Sequence, residues 1–287
     1  MGRDGLVGDG GLKTSELMNP NVIYAEVPGS REQVLRVLKE KRISGMPVVK
    51  KGTRQLIGII TREDILRHPD EEQIALIMNR EVVSVDLDAT FDECLDTMKR
   101  KGFRRLPVVS NNELKGIITV GDLVHKVIAN SQSSAKVSDY MRRRVLSCWG
   151  NTPVNIVNRV MRMASEYALL IIDNQERVAG IVSNTDLIRL VETKIEEKKS
   201  VLKSGSESQE WDWETSSVLY ISKQKISLPS FPIHQVMSTP CITISESSTI
   251  SECANKMLKH DIDQLPVTNV RDEVVGIIYD VDLIKSL

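Results

Sequence analysis

No stretch of this 287-residue chain approaches the ~18 consecutive apolar residues of a membrane-spanning helix. The longest apolar run is YALLII, at 167–172, so no membrane partner is expected. The opening MGRDGLVGDGGLK lacks the apolar core of a secretory signal. Leu6 stands where a myristoylation pattern needs serine or threonine, and residues 1–13 read as a flexible glycine-rich tail. The four cysteines, Cys94, Cys148, Cys241 and Cys253, form no CxxC pair. They read as buried or half-buried thiols of a reducing cytoplasm rather than a disulfide framework. A net charge of −1 leaves no basic face for nucleic acid, so any anion site has to be local. Catalytic signatures are missing as well. His68, His125, His234 and His260 share no HxxxH or HExxH spacing, and there is no GxxxxGK[ST] loop, GxSxG elbow or metal-ligand cluster. The histidines read as exposed helix-end residues, and the chain reads as a protein without enzymatic activity.

What the chain does carry is a repeat. The octapeptide GIITVGDL at 116–123 returns as GIITREDI at 58–65, GIVSNTDL at 180–187 and GIIYDVDL at 276–283. Each copy holds a glycine, two apolar β-branched residues, a hydroxyl-bearing residue, two variable positions, an aspartate and an aliphatic. The aspartates Asp64, Asp122, Asp186 and Asp282 recur at intervals on the order of 60 residues, the last widened by an insertion, which marks a repeat architecture. With 41% hydrophobic and 27% charged residues the chain can bury a core without staples, and its length suits about two domains.

Each repeat follows one order. In the first, residues 22–27 read as extended, and Ser30 caps a helix whose Val34, Val37 and Leu38 form one apolar face. MPVVKKGTRQLIGII (46–60) is a pair of strands across a polar turn, and Thr61 stands near the N-cap of a second helix. The second repeat reproduces this: strand EVVSVDLDA, a helix capped by Thr90 with Leu95 and Met98 inward, strands turning at Asn111 and Asn112, and a closing helix. In the third, RVLSCWGN is the strand, Thr152 opens the helix with Pro153 at its first position, and Leu170 replaces the usual strand proline. The fourth has CITISESS and a cap at Thr249. Ser30 to Pro47, Thr90 to Pro107 and Thr249 to Pro266 are equal intervals. The repeats span 14–70, 71–132, 133–192 and 233–287, with an insertion at 193–232. There TKIEEKKSVLKS is expected to extend the preceding helix, SGSESQEWDWETSS to form a loop and SVLYISKQKISLP a strand. Trp211 and Trp213 either pin that loop to the domain or form a partner-binding patch.

A three-stranded sheet with two helices on one side leaves its other face bare, so four such units pair sheet against sheet. The short PDEEQ link at 69–73 puts repeats one and two in one module, and repeats three and four in the other.

The four closings, with the strand openings Met46-Pro47-Val48, Leu106-Pro107-Val108 and Leu265-Pro266-Val267, resemble the CBS domain, named for cystathionine β-synthase, and its tandem pair, the Bateman module. The resemblance covers residues 14–287 apart from the insertion. It implies an α+β fold of four CBS repeats (β-α-β-β-α), paired into two Bateman modules as a flat pseudo-twofold disc. In layout this is similar to the gamma subunit of AMP-activated protein kinase.

Taken alone, a Thr-x-x-Asp at a helix start is an ordinary capping arrangement, or a helix mouth suited to an anion, with an aspartate able to accept hydrogen bonds from ribose hydroxyls. The resemblance implies the second role, with adenine in an apolar slot of the paired repeat. One site would use Thr61 and Asp64 with Val83, Phe103 and Pro107. The other would use Thr119 and Asp122 with Ile23, Ile43 and Pro47. Arg104 and Arg105 occupy the place of the family's phosphate-binding pair, and an arginine fork suits phosphate oxygens. Arg142, Arg143 and Arg144 read as a solvated turn. In the second module Ser183 and Asp186 keep the motif, whereas Asp263 and Gln264 replace the arginines and Tyr279 replaces the hydroxyl residue. A phosphorylated ligand (AMP, ADP or ATP) is therefore expected in the first module. The second is expected to be empty, or to hold an uncharged or cationic adenosine compound such as an S-adenosylmethionine relative. The resulting expectation is a cytoplasmic regulatory protein that needs no cofactor, binds an adenosine-type ligand and signals to a protein partner by conformational change. The rival is a nucleotide-independent scaffold working through the 193–232 insertion, and a homodimer is left open.

Overall fold

The computed structural model describes residues 13–203 and 216–287, with side chains outside 196–221. All four repeats share one topology. Their three-stranded sheets have the first strand parallel to the second, and the second antiparallel to the third. The register slips at the same place in each second strand, Val48/Val49, Val108/Val109, Ile171/Ile172 and Val267/Thr268. The long helices Arg31–Glu40, Phe91–Lys101 and Ile250–His260 begin with capping boxes in which Ser30, Thr90 and Thr249 accept from the N–H groups of Gln33, Glu93 and Glu252. The first helix of repeat three differs from its expected start. Pro153 itself holds the N-cap in extended backbone (φ −62°, ψ 141°) and Val154 is the first helical residue.

First strands are shorter than the sequence pattern suggests: Ala25–Val27, Val85–Asp86, Ser147–Trp149 and Ile244–Ser245. The residues upstream serve another purpose. Each repeat's entry segment crosses to its paired repeat, where backbone bridges join Asn19 to Ile117, Asn79 to Ile59, Arg142 to Ile277 and Ser238 to Ile181. The glycine of each octapeptide makes that crossing possible. A Cβ on Gly58, Gly116, Gly180 or Gly276 would lie 2.6, 2.2, 2.5 or 3.0 Å from the sulfur of Met78, Met18, Met237 or Met141 respectively. Methionine's flexible thioether fills that close approach. The exchange is reciprocal between repeats one and two and between repeats three and four, so the pairing expected from the short link is the pairing observed.

The two modules then meet through their helical layers. One apolar core merges repeats two and four, running from Leu95, Met98 and Ile128 to Ile250, Met257 and Leu283. A second joins repeat one to Ile188 and Val191 of repeat three and to Ile226. Apolar area removed from water at this junction is what holds the modules together. The insertion corrects one expectation. Glu192–Lys203 is not a helical extension but a strand, antiparallel to Ser216–Ser227. Glutamate and lysine favour helix, yet the β-prone SVLYIS stretch offers a ladder partner, and cross-strand pairing overrides local propensity. The base of this hairpin is tied to the link between repeats one and two: Ile226 N–H donates to the Pro69 carbonyl (3.0 Å) and Gln224 N–H to Glu72 (2.8 Å). Trp211 and Trp213 lie outside the described residues. All four cysteines are free, Cys94 and Cys253 buried, Cys148 and Cys241 half-buried.

Candidate functional site

Each octapeptide ends a strand and opens a short helix: Arg62–Arg67, Val120–Leu123, Asn184–Arg189 and Asp280–Leu283. At three of these corners the aspartate folds back on the hydroxyl residue. Asp64 Oδ2 accepts from the Thr61 N–H (2.8 Å) and hydroxyl (2.6 Å). Asp122 does the same with Thr119 at 2.8 and 2.6 Å, and Asp186 with Ser183 at 2.8 and 2.8 Å. Capping thus fixes one carboxylate oxygen. The other, Oδ1, has no hydrogen-bond partner at these three corners among the described residues, and all three aspartates are only half-buried. A rigidly held carboxylate with one free oxygen is an acceptor for a vicinal diol or another neutral donor.

The fourth corner is closed. Asp282 is fully buried (0% exposed). Its Oδ2 accepts from Arg142 Nε (2.9 Å) and the Tyr279 N–H (3.2 Å), and its Oδ1 from Lys285 Nζ (2.6 Å). Arg142 also lies over the Tyr279 ring at 4.5 Å, a cation–π contact, and 3.6 Å from Glu166. Arg142 is therefore an internal counter-ion rather than part of a solvated turn. Burial, reinforced by Glu166, raises the Tyr279 hydroxyl above its ordinary range, so it stays neutral and donates to Glu166 at 3.2 Å.

Between the modules lies a group of arginines. Arg104 of repeat two donates to Asp280 (2.7 Å) and pairs with Asp263 (2.9 Å) of repeat four, and its guanidinium sits 5.6 Å from the Tyr167 ring. Burial opposes its charge, but the two carboxylates outweigh burial and hold it firmly protonated. Arg62 and Arg105 are placed differently. Neither forms an ion pair within 4.0 Å among the described residues. Arg62, 5% exposed, donates from its side chain to the Thr185 hydroxyl of repeat three, and its Nε–H has no partner among the described residues. Arg105 donates to Ser44 of repeat one. Burial brings Arg62 down to about 10; Asp263 opposes that shift, while Arg189 and Arg104 add to it. Burial likewise brings Arg105 to about 10, helped by Arg104 and Arg62. Crowded, desolvated cations of this kind gain from an anion.

Two cavities border these arginines. The larger, about 590 Å³, is lined by all four repeats. It contains the Thr119–Asp122 corner with Ile23 and Ile43 at one side, and the Ser183–Asp186 corner with Ile242 and Ile262 at the other. The smaller, about 230 Å³, contains Thr61, Asp64 and Phe103. Arg62, Arg104 and Arg105 line both. Pro47 and Pro107 are held in the sheet ladders opposite Ile59 and Ile117, and it is those isoleucines that face the cavities. Val83 packs at the edge of the core and lines neither cavity. The family resemblance singles out Arg104 and Arg105 but misses Arg62, which directly follows Thr61, and Thr185, which it meets. It also misses Ile242 and Ile262, the repeat-four counterparts of Ile23 and Ile43. A signal for one of them was available: Ile262 stands four residues before Pro266, as Ile43 does before Pro47.

Comparison with known proteins bears directly on this architecture. The CBS domain family model matches residues 15–71, 73–129, 137–193 and 233–287. Protein MJ1225 of Methanocaldococcus jannaschii is 24% identical over 288 residues, covering 93% of this chain and 95% of its own. Its crystal structure, put forward as that of an archaeal homolog of g-AMPK, superposes with a TM-score of 0.77 at 21% identity over 96% of this chain and 99% of that one. A conserved protein of Pyrococcus horikoshii superposes with a TM-score of 0.63 at 24% identity, over 96% and 99%. YlbB of Bacillus subtilis is 31% identical over 133 residues, 44% of this chain and 90% of its own. Four matched repeats, four identical β-α-β-β-α units and their reciprocal pairing lead to one conclusion: the chain belongs to the CBS-domain family, as a four-repeat member similar in layout to the gamma subunit of AMP-activated protein kinase.

Proposed function

We propose that this protein is a regulatory binding module for adenosine-type nucleotides, without chemistry of its own. The observation that carries this reading is the pairing of two features. Among the described residues, three capped aspartates keep one oxygen free, and the cavities they border also hold Arg62 and Arg105, which lack carboxylate partners there. The aspartates suit ribose hydroxyls, the isoleucine pairs suit a flat base, and the arginines suit phosphate. Because the arginines stand between the modules, phosphate binding is not confined to the first module. AMP, ADP and ATP fit this charge pattern better than S-adenosylmethionine, whose single carboxylate is accompanied by a sulfonium and an ammonium that would add positive charge beside Arg62 and Arg105.

Signal output follows from the same placement. Arg62 and Arg104 both reach across the module junction, to Thr185 and to Asp263 and Asp280. A phosphate drawing on Arg62, next to the Arg104 tie, changes how the modules are held together, and a protein partner can read that change. By linkage such a partner alters nucleotide affinity by the same factor. Calorimetry with AMP, ADP, ATP and S-adenosylmethionine tests the reading. AMP is expected to bind the wild type, and Asp122→Ala to lose one site. Absence of binding by every one of these compounds overturns the reading.

A further inference from the structure

The first helix of repeat three, Val154–Ala164, is unlike its three counterparts on the side that faces away from the core. Counted from the N-cap, its third and tenth positions are Ile156 and Met163, 47% and 75% exposed, with half-buried Val160 between them. The same two positions are Gln33 and Glu40, Glu93 and Arg100, and Glu252 and Lys259 in the other repeats, all of them exposed. Steps of four and three residues put Ile156, Val160 and Met163 on one stripe. Pro153 at the N-cap has no N–H for a capping-box acid to receive, so glutamate is not needed at 156. That does not account for an isoleucine in water, since an acid there still favours a helix start. The helix also contains no Asp or Glu, whereas the other three each carry at least one. Arg159 is exposed and Arg162 half-buried, and neither forms an ion pair among the described residues. An exposed apolar ridge with cations on its helix fits an acidic, aromatic segment.

The chain holds such a segment. The hairpin of Glu192–Lys203 and Ser216–Ser227 is closed by SGSESQEWDWET, 204–215, which carries Glu207, Glu210, Asp212 and Glu214, Trp211 and Trp213, and no lysine or arginine. The base of the hairpin lies beside the start of the same helix: Val154 N–H donates to the Phe231 carbonyl (3.0 Å) and Asn155 N–H to the Pro229 carbonyl (3.2 Å). The ladder carries the ribbon about 37 Å from that base, whereas the helix is only about 16 Å long. Trp211 and Trp213, five and three residues from Ser216, reach back at most about 18 and 11 Å. Even an arm parallel to the helix therefore overshoots its own chain's stripe, and the stripe it meets belongs to another copy.

We propose that two copies exchange arms, residues 204–215 of one docking on the Ile156–Val160–Met163 stripe of the other, with the acids beside Arg159 and Arg162. A twofold exchange covers both stripes at once and closes the assembly. Direct contact of stripe with stripe would set Arg159 against its own copy, and like charges disfavour that. The proposal is independent of the nucleotide reading.

The test is sedimentation velocity on the full chain beside two double variants, Trp211→Ala with Trp213→Ala, and Ile156→Glu with Met163→Glu. Wild type is expected to be a dimer and both variants monomers at the same concentration, with unchanged far-UV circular dichroism. A synthetic 204–215 peptide, followed by fluorescence anisotropy, is expected to bind the tryptophan variant, whose stripe is intact. It is expected to bind the stripe variant at least about tenfold more weakly, and to bind less tightly as salt is raised. A dimer lost in only one of the two variants overturns the proposal. So does a monomeric wild type, a dimer that survives both changes, or a peptide indifferent to the stripe.

Discussion

The aspartate at the seventh position of the octapeptide does different work at different corners. Asp64, Asp122 and Asp186 spend one oxygen on the cap and leave the other without a partner among the described residues, whereas Asp282 spends both on Arg142, Lys285 and the Tyr279 N–H. Asp282→Ala is accordingly expected to leave AMP stoichiometry unchanged. It should lower stability by about 2 kcal/mol, the worth of charge-assisted hydrogen bonds removed from a buried acceptor. That corresponds to a fall in Tm of roughly 4–8 °C for a chain of this size. Lost AMP binding in a folded Asp282→Ala chain contradicts the closed corner. Asp280 makes a pH-dependent contribution. Burial lifts its carboxyl from 3.8 to about 6, against the pull of Arg104 and with added repulsion from Asp263. A folded value above the unfolded one means the folded state holds the proton more tightly. The stabilisation from this group is therefore full below 3.8 and is lost as pH rises through about 6. The stability difference between wild type and Asp280→Asn, followed by thermal melting across that window, is expected to shift in the variant's favour as pH rises. A flat difference contradicts the assignment.

At the scale of elements, the methionine–glycine contact joins the repeats of each module. Gly116→Val forces a branched side chain into the space of Met18, whose sulfur would lie 2.2 Å from the added Cβ. Overpacking of this kind typically costs 1–3 kcal/mol, so a loss of about 2 kcal/mol is expected in chemical denaturation. Met18→Ala in the same chain is expected to recover part of it, and strict additivity of the two changes contradicts direct packing. Local signals make most elements legible. Ser30, Thr90 and Thr249 cap the helices that the serine or threonine pattern marks, and Asn111 and Asn112 turn with positive φ of 53° and 62°. The exchange of entry segments is written in LMNP, IMNR, YMRR and VMST, but recognising it requires knowing which glycine each methionine meets. The strand Glu192–Lys203 reads as helix because helix propensity is local and its ladder partner, Ser216–Ser227, is not.

At the scale of the whole molecule, three corners converge on one set of arginines and the fourth is filled by the protein's own side chains. The corners are legible because the hydroxyl residue and its aspartate are three residues apart. What lies between them is not, since it depends on pairs far apart in sequence: Arg62 with Thr185, Arg104 with Asp263 and Asp280, Arg142 with Asp282. Read along the chain, Asp263 is a charge set against phosphate; in the fold it neutralises Arg104. Arg142 reads as a solvated cation, but it closes a site. The central claim is that ribose sits on the free aspartate oxygens with phosphate turned inward to Arg62 and Arg105. A crystal structure of the chain soaked with AMP tests this most directly. The expected density places ribose hydroxyls against Asp122 and Asp186, phosphate against the two arginines, and no ligand at Asp282. Density with phosphate turned out to solvent, or ligand bound only away from these corners, contradicts it.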